Sequence, residues 1–210
     1  LSSEDKDFFK HLGLDFKAIL RASVTNIKNL NSGRRAIGAS TITQQVAKNF
    51  LLSADYSIER KIKEAILALR IERTFSKDHI FELYLNEIYL GFNSYGVAAA
   101  ALNYFNKPLS QITLAEAAYL AALPKGPNNY HPTRKRKQAI IRRNWVLSQM
   151  FENGFITENE FKKTKNEELS VYASSGFDGA YAPYPVEEIR RELVQNYGQE
   201  KLYTGGLTIQ

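Results

Sequence analysis

The chain of 210 residues contains no cysteine, which removes a disulfide framework, a thiolate metal site and a cysteine nucleophile at once. Its three histidines, His11, His79 and His131, lie too far apart for H-x-x-x-H ligand spacing, so no catalytic zinc is expected. No apolar run approaches the roughly 18 residues of a spanning helix, and the opening Leu1-Ser2-Ser3-Glu4-Asp5 is not a signal peptide. All six prolines stand at position 108 or later, which leaves the first half free for uninterrupted helices. Internal repeats and low-complexity tracts are also missing.

What is present is an ordinary globular composition, 44% hydrophobic and 24% charged, of a size suited to one or two domains. The net charge of +6 favours an anionic partner: nucleic acid, an acidic membrane surface or a phosphorylated substrate. With no RNP-type motif, zinc finger or recognition helix, nucleic acid is not expected.

The apolar pattern is helical. Phe16, Ile19, Leu20, Val24, Ile27 and Leu30 recur at helix spacing after Asp15, up to the Asn31-Ser32-Gly33 breaker. A second helix is predicted over residues 38–50, where Thr41 and Gln44 fit a capping box. Ser57 caps a third, whose apolar stripe is Ile58, Ile62, Ala65, Ile66 and Leu69, and Ser76 opens a fourth over 77–90, closed by Gly91. An alanine-rich helix spans 97–105, Thr113 and Glu116 box a buried one, residues 134–152 form a basic one ended by Gly154, and Thr157 with Glu160 caps another. Residues 170–185 read as a linker, followed by an amphipathic helix over 186–197 and a strand start at Gly205-Gly206. The expected fold is mainly α over a domain of residues 1–169, with 170–210 as a linker.

Acid–base chemistry falls to carboxylates. Glu4 has Phe8 and Phe9 one turn on, an apolar setting that raises a carboxyl pKa toward general-base values; the plain alternative is a surface acid on a frayed end. Glu64 follows Arg60 and Lys61 on one helical face, which holds it ionised and suits an anion-handling site; the alternative is a solvated ion pair. Lys48, Arg60, Lys61 and Lys63 form a basic patch fit for a diphosphate. The run Arg134-Lys135-Arg136-Lys137, with Arg142 and Arg143, reads as a solvated helix face or a membrane-surface contact.

Five ordered blocks then resemble one family, the peptidoglycan glycosyltransferases (glycosyltransferase family 51) of class A penicillin-binding proteins and monofunctional transglycosylases. The blocks are E-D-K-D-F-F-K-H-L-G at 4–13, G-A-S-T-I-T-Q-Q-V-A-K-N at 38–49, R-K-I-K-E-A at 60–65, E-L-Y-L-N-E-I-Y at 82–89 and A-E-A-A-Y-L-A-A-L-P at 115–124. Five blocks in order are far more specific than any single short motif. Two positions depart from the family pattern, Asn93 and Asn106, each standing where it has glycine; asparagine tolerates the left-handed backbone better than most residues.

The resemblance implies a lysozyme-like glycosyltransferase fold with a large head lobe and a small membrane-associated jaw lobe. It implies polymerisation of lipid II onto a growing glycan strand, with inversion and release of undecaprenyl diphosphate. By the same carry-over Glu4 is the general base and Glu64 sits near the leaving diphosphate. Lys48, Arg60 and Lys61 bind phosphate, Ser40, Thr41, Gln45 and Asn49 line the donor site, and Asp5, Phe8 and His11 shape the surroundings of the base. Mg²⁺ or Mn²⁺ assists some members, but none is required by these residues. Moenomycin-type inhibitors and the membrane surface are further expected partners, and the helix from Phe16 to Leu30 is the candidate for membrane contact. The implied location is the outer face of the bacterial cytoplasmic membrane, with an anchoring helix upstream of Glu4 in a longer protein. Tyr203-Thr204-Gly205-Gly206-Leu207-Thr208-Ile209 resembles the strand leading to a transpeptidase, but no transpeptidase serine motif occurs here. The rival activity is a lytic, lysozyme-like glycan hydrolase, which has no need of the Lys48, Arg60 and Lys61 set.

Overall fold

A computed structural model describes residues 1–29, 38–51 (50 and 51 by backbone only) and 57–172. The chain divides into two compact units, Leu1–Tyr172 and Ala173–Gln210. Residues 173–210, which hold all but the first three residues of the linker together with the helix over 186–197 and the strand start, lie outside the described residues, as do 30–37 and 52–56.

Among the described residues the structure is mainly α, as expected, with eight α-helices and a single isolated bridge between Tyr89 and Tyr95. Local capping chemistry accounts for most of the boundaries. Asp15 accepts the Ala18 N–H at 2.8 Å and starts α1, Phe16–Lys28. Thr41 and Gln44 exchange bonds, Gln44 N–H to Thr41 Oγ1 at 3.1 Å and Thr41 N–H to Gln44 Oε1 at 3.0 Å, so α2 runs Ile42–Leu51. The helix thus begins at Ile42 and not at residue 38, because the box makes Thr41 the cap. Ser57 starts α3, Ile58–Thr74, and Ser76 starts α4, Lys77–Glu87. α5 is Val97–Phe105, and α6, Leu114–Leu120, and α8, Glu158–Lys165, both open on complete capping boxes. Between them α7 spans Arg136–Glu152.

α4 stops three residues short of the predicted end. Ile88 turns extended, Gly96 N–H bonds the Ile88 carbonyl at 2.9 Å and Leu90 N–H bonds that of Ser94 at 2.9 Å, so the chain reverses in a tight loop. Gly91, at φ +86, serves that loop and not the helix end. Gly96 has φ +79, and a Cβ there would stand 2.3 Å from the Asn86 carbonyl oxygen, so only glycine fits. Asn93 and Asn106 both sit at φ 53, the left-handed region that asparagine accepts.

The main core gathers Phe8, Ile42, Ile80, Tyr84, Tyr104 and Tyr119 from the N-terminal segment, α2, α4, α5 and α6. Tyr104 and Tyr119 anchor it by donating their hydroxyls to the carbonyls of Leu90 (2.7 Å) and Tyr130 (2.8 Å). A smaller cluster of Ala118, Ala122, Val146 and Leu147 joins α6 to α7.

Two predicted faces are reversed. On α3 the stripe Ile58, Ile62, Ile66 and Leu69 is exposed, Ile58 at 82%, while Glu64 and Ala68 are buried. The inward side is selected by polar contacts with α2: Gln44 to Glu64 and Thr43 to Glu72. On α7, Arg142 and Arg143 are not on a solvated face. Arg143 is fully buried and donates to the carbonyls of Glu167 (2.8 Å) and Lys165 (3.1 Å), and Arg142 lies 4.0 Å over the Trp145 ring.

Candidate active site

The site begins with the N-terminal segment, which folds as consecutive turns. Asp5 N–H bonds the Leu1 carbonyl at 2.9 Å, Phe8 N–H bonds that of Asp5 at 3.3 Å, and Ser3 donates its hydroxyl to the Ala121 carbonyl at 3.2 Å. Phe8 drops into the core with its ring centroid 5.9 Å from that of Phe81, and the Lys77 ammonium lies 4.3 Å over its ring. Asp5, buried, does three things with one carboxylate: both oxygens lie 3.0 Å from His11 Nε2, and Oδ2 accepts the Ile42 N–H at 3.0 Å. A carboxylate on the first N–H of α2 satisfies an orphan donor and suits the positive end of the helix.

Glu4, next in sequence to that anchor, lines a largely apolar pocket of about 300 Å³ with Phe81, Tyr84, Leu85, Ile88 and Leu120. Its Oε2 accepts a hydrogen bond from Gln45 Nε2 at 3.3 Å. Burial pushes the carboxyl pKa above its ordinary value; the Gln45 bond and the charges of Arg142 and Lys125 oppose that rise without cancelling it. The aromatic surface near Glu4 is supplied by Phe81 and Tyr84. Phe8 lies in the core and Phe9 is exposed, so the expectation for the environment holds through different residues.

The second carboxylate is built by α2 and α3 together. Glu64 is only 3% exposed, and its Oε1 accepts from Gln44 Nε2 at 3.2 Å and from the Lys61 ammonium. Lys61 also donates to Ser40 Oγ at 2.8 Å and stays about half exposed, so its charge is tethered at the surface with room for another acceptor. A buried carboxylate with one cation and one amide on it is electrostatically satisfied. Its effect is to fix Lys61.

Other expected residues take clear places. Thr41 spends its hydroxyl inside the fold, accepting from Gln44 N–H and donating to the Gly13 carbonyl at 2.6 Å. Lys48 and Asn49 are exposed on α2, Arg60 is partly buried in the first turn of α3, and Lys63 is exposed and paired with Glu59 at 2.6 Å. The structure thus joins Glu4 to Gln45, Asp5 to His11, and both Ser40 and Glu64 to Lys61. Three further residues have a part in the site that their sequence pattern did not assign them: Gln44, read there only as a helix cap, bridges Thr41 and Glu64; Tyr84 lies in the Glu4 pocket; and the charge of Arg142 reaches Glu4. The spacing of Arg142 and Trp145, one turn apart, was the available signal for a stacked guanidinium.

Against known proteins, a family described as Transglycosylase matches residues 1–151. The chain belongs to the transglycosylase family. Relatives of this transglycosylase include penicillin-binding protein 1A of Rickettsia felis, 46% identical over 210 residues, and that of Escherichia coli, 44% identical over 209; both alignments cover 100% of this chain. The chain spans 27% and 24% of those two relatives. A crystal structure of penicillin-binding protein 1A from Haemophilus influenzae aligns over 76% of this chain and 20% of its own, with 32% identity and a TM-score of 0.46.

Proposed function

We propose that this transglycosylase is a peptidoglycan glycosyltransferase that polymerises lipid II, with Glu4 as the general base. The observation that carries the reading is the contrast between its two carboxylates: Glu4 is desolvated with a raised pKa, while Glu64 is locked to a cation. A reaction that removes a proton at one end and releases an anion at the other needs that division.

In the proposed step Glu4 takes the proton of the acceptor's C4 hydroxyl as that oxygen bonds to the anomeric carbon of the donor. The bond from that carbon to the diphosphate breaks on the opposite face, with inversion, and undecaprenyl diphosphate leaves with the electron pair. Lys48, Arg60 and Lys61 receive the diphosphate, with Glu64 and Ser40 holding Lys61 in place. Gln45, Thr41 and Asn49 belong to the donor side, Thr41 by fixing the start of α2. Asp5, Phe8 and His11 set the base in position.

Mg²⁺ or Mn²⁺ is assigned no protein-held site. Glu64 Oε1 is already engaged by Lys61 and Gln44, and among the described residues no group of three His, Asp or Glu side chains is arranged for a metal.

The lipid tail of the substrate places the enzyme at a membrane surface, on the outer face of the cytoplasmic membrane. α1 suits that contact: Phe16, Leu20 and Ile27 are exposed beside Lys17, Arg21 and Lys28. Among the described residues no helix is long and apolar enough to cross a membrane. Moenomycin-type compounds are expected to compete at the phosphate-binding residues.

The test is polymerisation of fluorescent lipid II by the chain and by Glu4→Gln, with products separated on a gel. Long glycan from the wild type and a loss of about 10²–10⁴ in rate for the variant support the reading. Shortening of preformed glycan without polymerisation indicates a lytic enzyme instead.

A further inference from the structure

Glu72, near the end of α3, is a buried acid that the proposed step does not use. Its side chain is only 4% exposed, and its Oε1 accepts from two groups, the Lys77 ammonium at 2.6 Å and the Thr43 hydroxyl. Gly13 closes over it, so near that a Cβ there would stand 3.0 Å from Glu72 Cγ. The same Lys77 ammonium lies 4.3 Å over the Phe8 ring. One ion pair thus ties the end of α3 and the start of α4 to the first turn of α2 and to the N-terminal segment. Stability alone is a weak reason for it, because apolar residues of similar volume often serve as well as a buried ion pair. What the pair supplies is direction: a charged hydrogen bond fixes a distance and an angle that apolar contact leaves free.

We propose that the Glu72–Lys77 pair is a positioning element for Glu4. The inference rests on the transferase reading above, which makes Glu4 the base. Glu4 is held from two sides: by its own segment, which Phe8 pins into the core, and by Gln45 of α2, whose amide donates to it at 3.3 Å. Thr43 fixes α2 two residues before Gln45, and Lys77 fixes Phe8 four residues after Glu4. Both holds return to one carboxylate, so the separation of Glu4 from Gln45 is set across Glu72. Without the ammonium, Glu72 carries a buried and uncompensated charge, and the two holds are free to move apart. A displacement of about 1 Å at a reacting group costs roughly 10²-fold in rate.

Lys77→Met keeps the apolar stem and removes the ammonium. It is expected to lower kcat for lipid II about 10–10²-fold with KM unchanged, since a positioning residue acts on the chemical step. The acid limb of the rate profile should move to higher pH, because the Gln45 bond no longer favours ionised Glu4 while the charges of Arg142 and Lys125 stay in place. Lys77→Arg, which keeps a cation for both Glu72 and Phe8, should return kcat and the limb toward the wild type. Thr43→Val removes one hydroxyl, leaves the ion pair intact and should move the limb in the same direction; it decides the matter where Lys77→Met does not fold. Titration of the Glu4 carboxyl by ¹³C NMR, assigned with Glu4→Gln, reads the same shift without turnover. A displaced Glu4 titration in a chain that makes no polymer would keep the positioning assignment and sink the transferase reading. A lowered melting temperature with kcat, limb and Glu4 titration all at wild-type values would show that the pair serves only the fold and overturn the proposal, as would Lys77→Arg as impaired as Lys77→Met.

Discussion

Gln44 and Gln45, neighbours on α2, each donate a side-chain amide to a different glutamate: Gln44 to Glu64 at 3.2 Å and Gln45 to Glu4 at 3.3 Å. Successive helical residues point about 100° apart, so one turn of α2 serves as the spacer between Glu4, the proposed base, and Glu64, at the proposed anion-binding end. That turn is itself anchored by Asp5 on the Ile42 N–H and by the Thr41 box.

Asp5→Asn should therefore damage both ends at once. A hydrogen bond to a charged group contributes about 1.5–3 kcal/mol, and each kcal/mol moves the melting temperature by roughly 2–4 °C in a chain of this size. A drop of several degrees in calorimetry, with polymerisation reduced by at least about tenfold, is expected; a variant with wild-type melting would show that the anchor is dispensable.

Glu4→Gln should be more stable than the wild type near neutral pH. A carboxyl whose pKa is raised on folding favours the fold while it is protonated and disfavours it once ionised, so the cost appears as pH climbs through the folded value. Melting curves should coincide at acid pH and separate above it, the variant higher by roughly 2–4 °C for each kcal/mol of desolvation relieved. Coincidence at every pH would remove the desolvated carboxylate from the account.

Arg142→Met should move the acid limb of the rate profile to higher pH. Arg142, Lys125 and the Gln45 amide all favour ionised Glu4, while burial beside Tyr84 opposes it. Removing one cation leaves burial less opposed, so the base needs a higher pH to ionise. An unmoved limb would mean that the Arg142 charge is not felt at the base.

Phe16→Ser combined with Ile19→Ser should weaken liposome binding at least about tenfold, since each large apolar side chain contributes about 1.5–3 kcal/mol on burial. Co-sedimentation with anionic vesicles measures it; unchanged binding would assign membrane contact to another surface.

What the sequence revealed tracks how local each decision is. The caps at Thr41, Ser57, Ser76, Thr113 and Thr157 were legible because cap and partner lie three residues apart. So was the setting of Glu64, whose Lys61 partner is one turn away. The inward face of α3 was not legible, because an isoleucine stripe outweighs one buried glutamate in any apolar pattern, whereas in the fold Gln44 and Thr43 draw the polar side inward. Arg142 and Arg143 misled for the same reason: a run of cations reads as solvated until Trp145 and the carbonyls of Lys165 and Glu167 come to meet it. Tyr84 was legible only as a member of the 82–89 block, since a hydroxyl without a partner among the described residues is visible only when its neighbours are placed.

The most direct test of the central claim, that Glu4 is a desolvated general base, is the pH dependence of kcat/KM for lipid II polymerisation by the wild type beside Glu4→Gln. The account predicts an acid limb set by a group titrating above the ordinary glutamate value of 4.5, and no such limb in the residual activity of the variant. A limb at the ordinary value, or the same limb in Glu4→Gln, would contradict it.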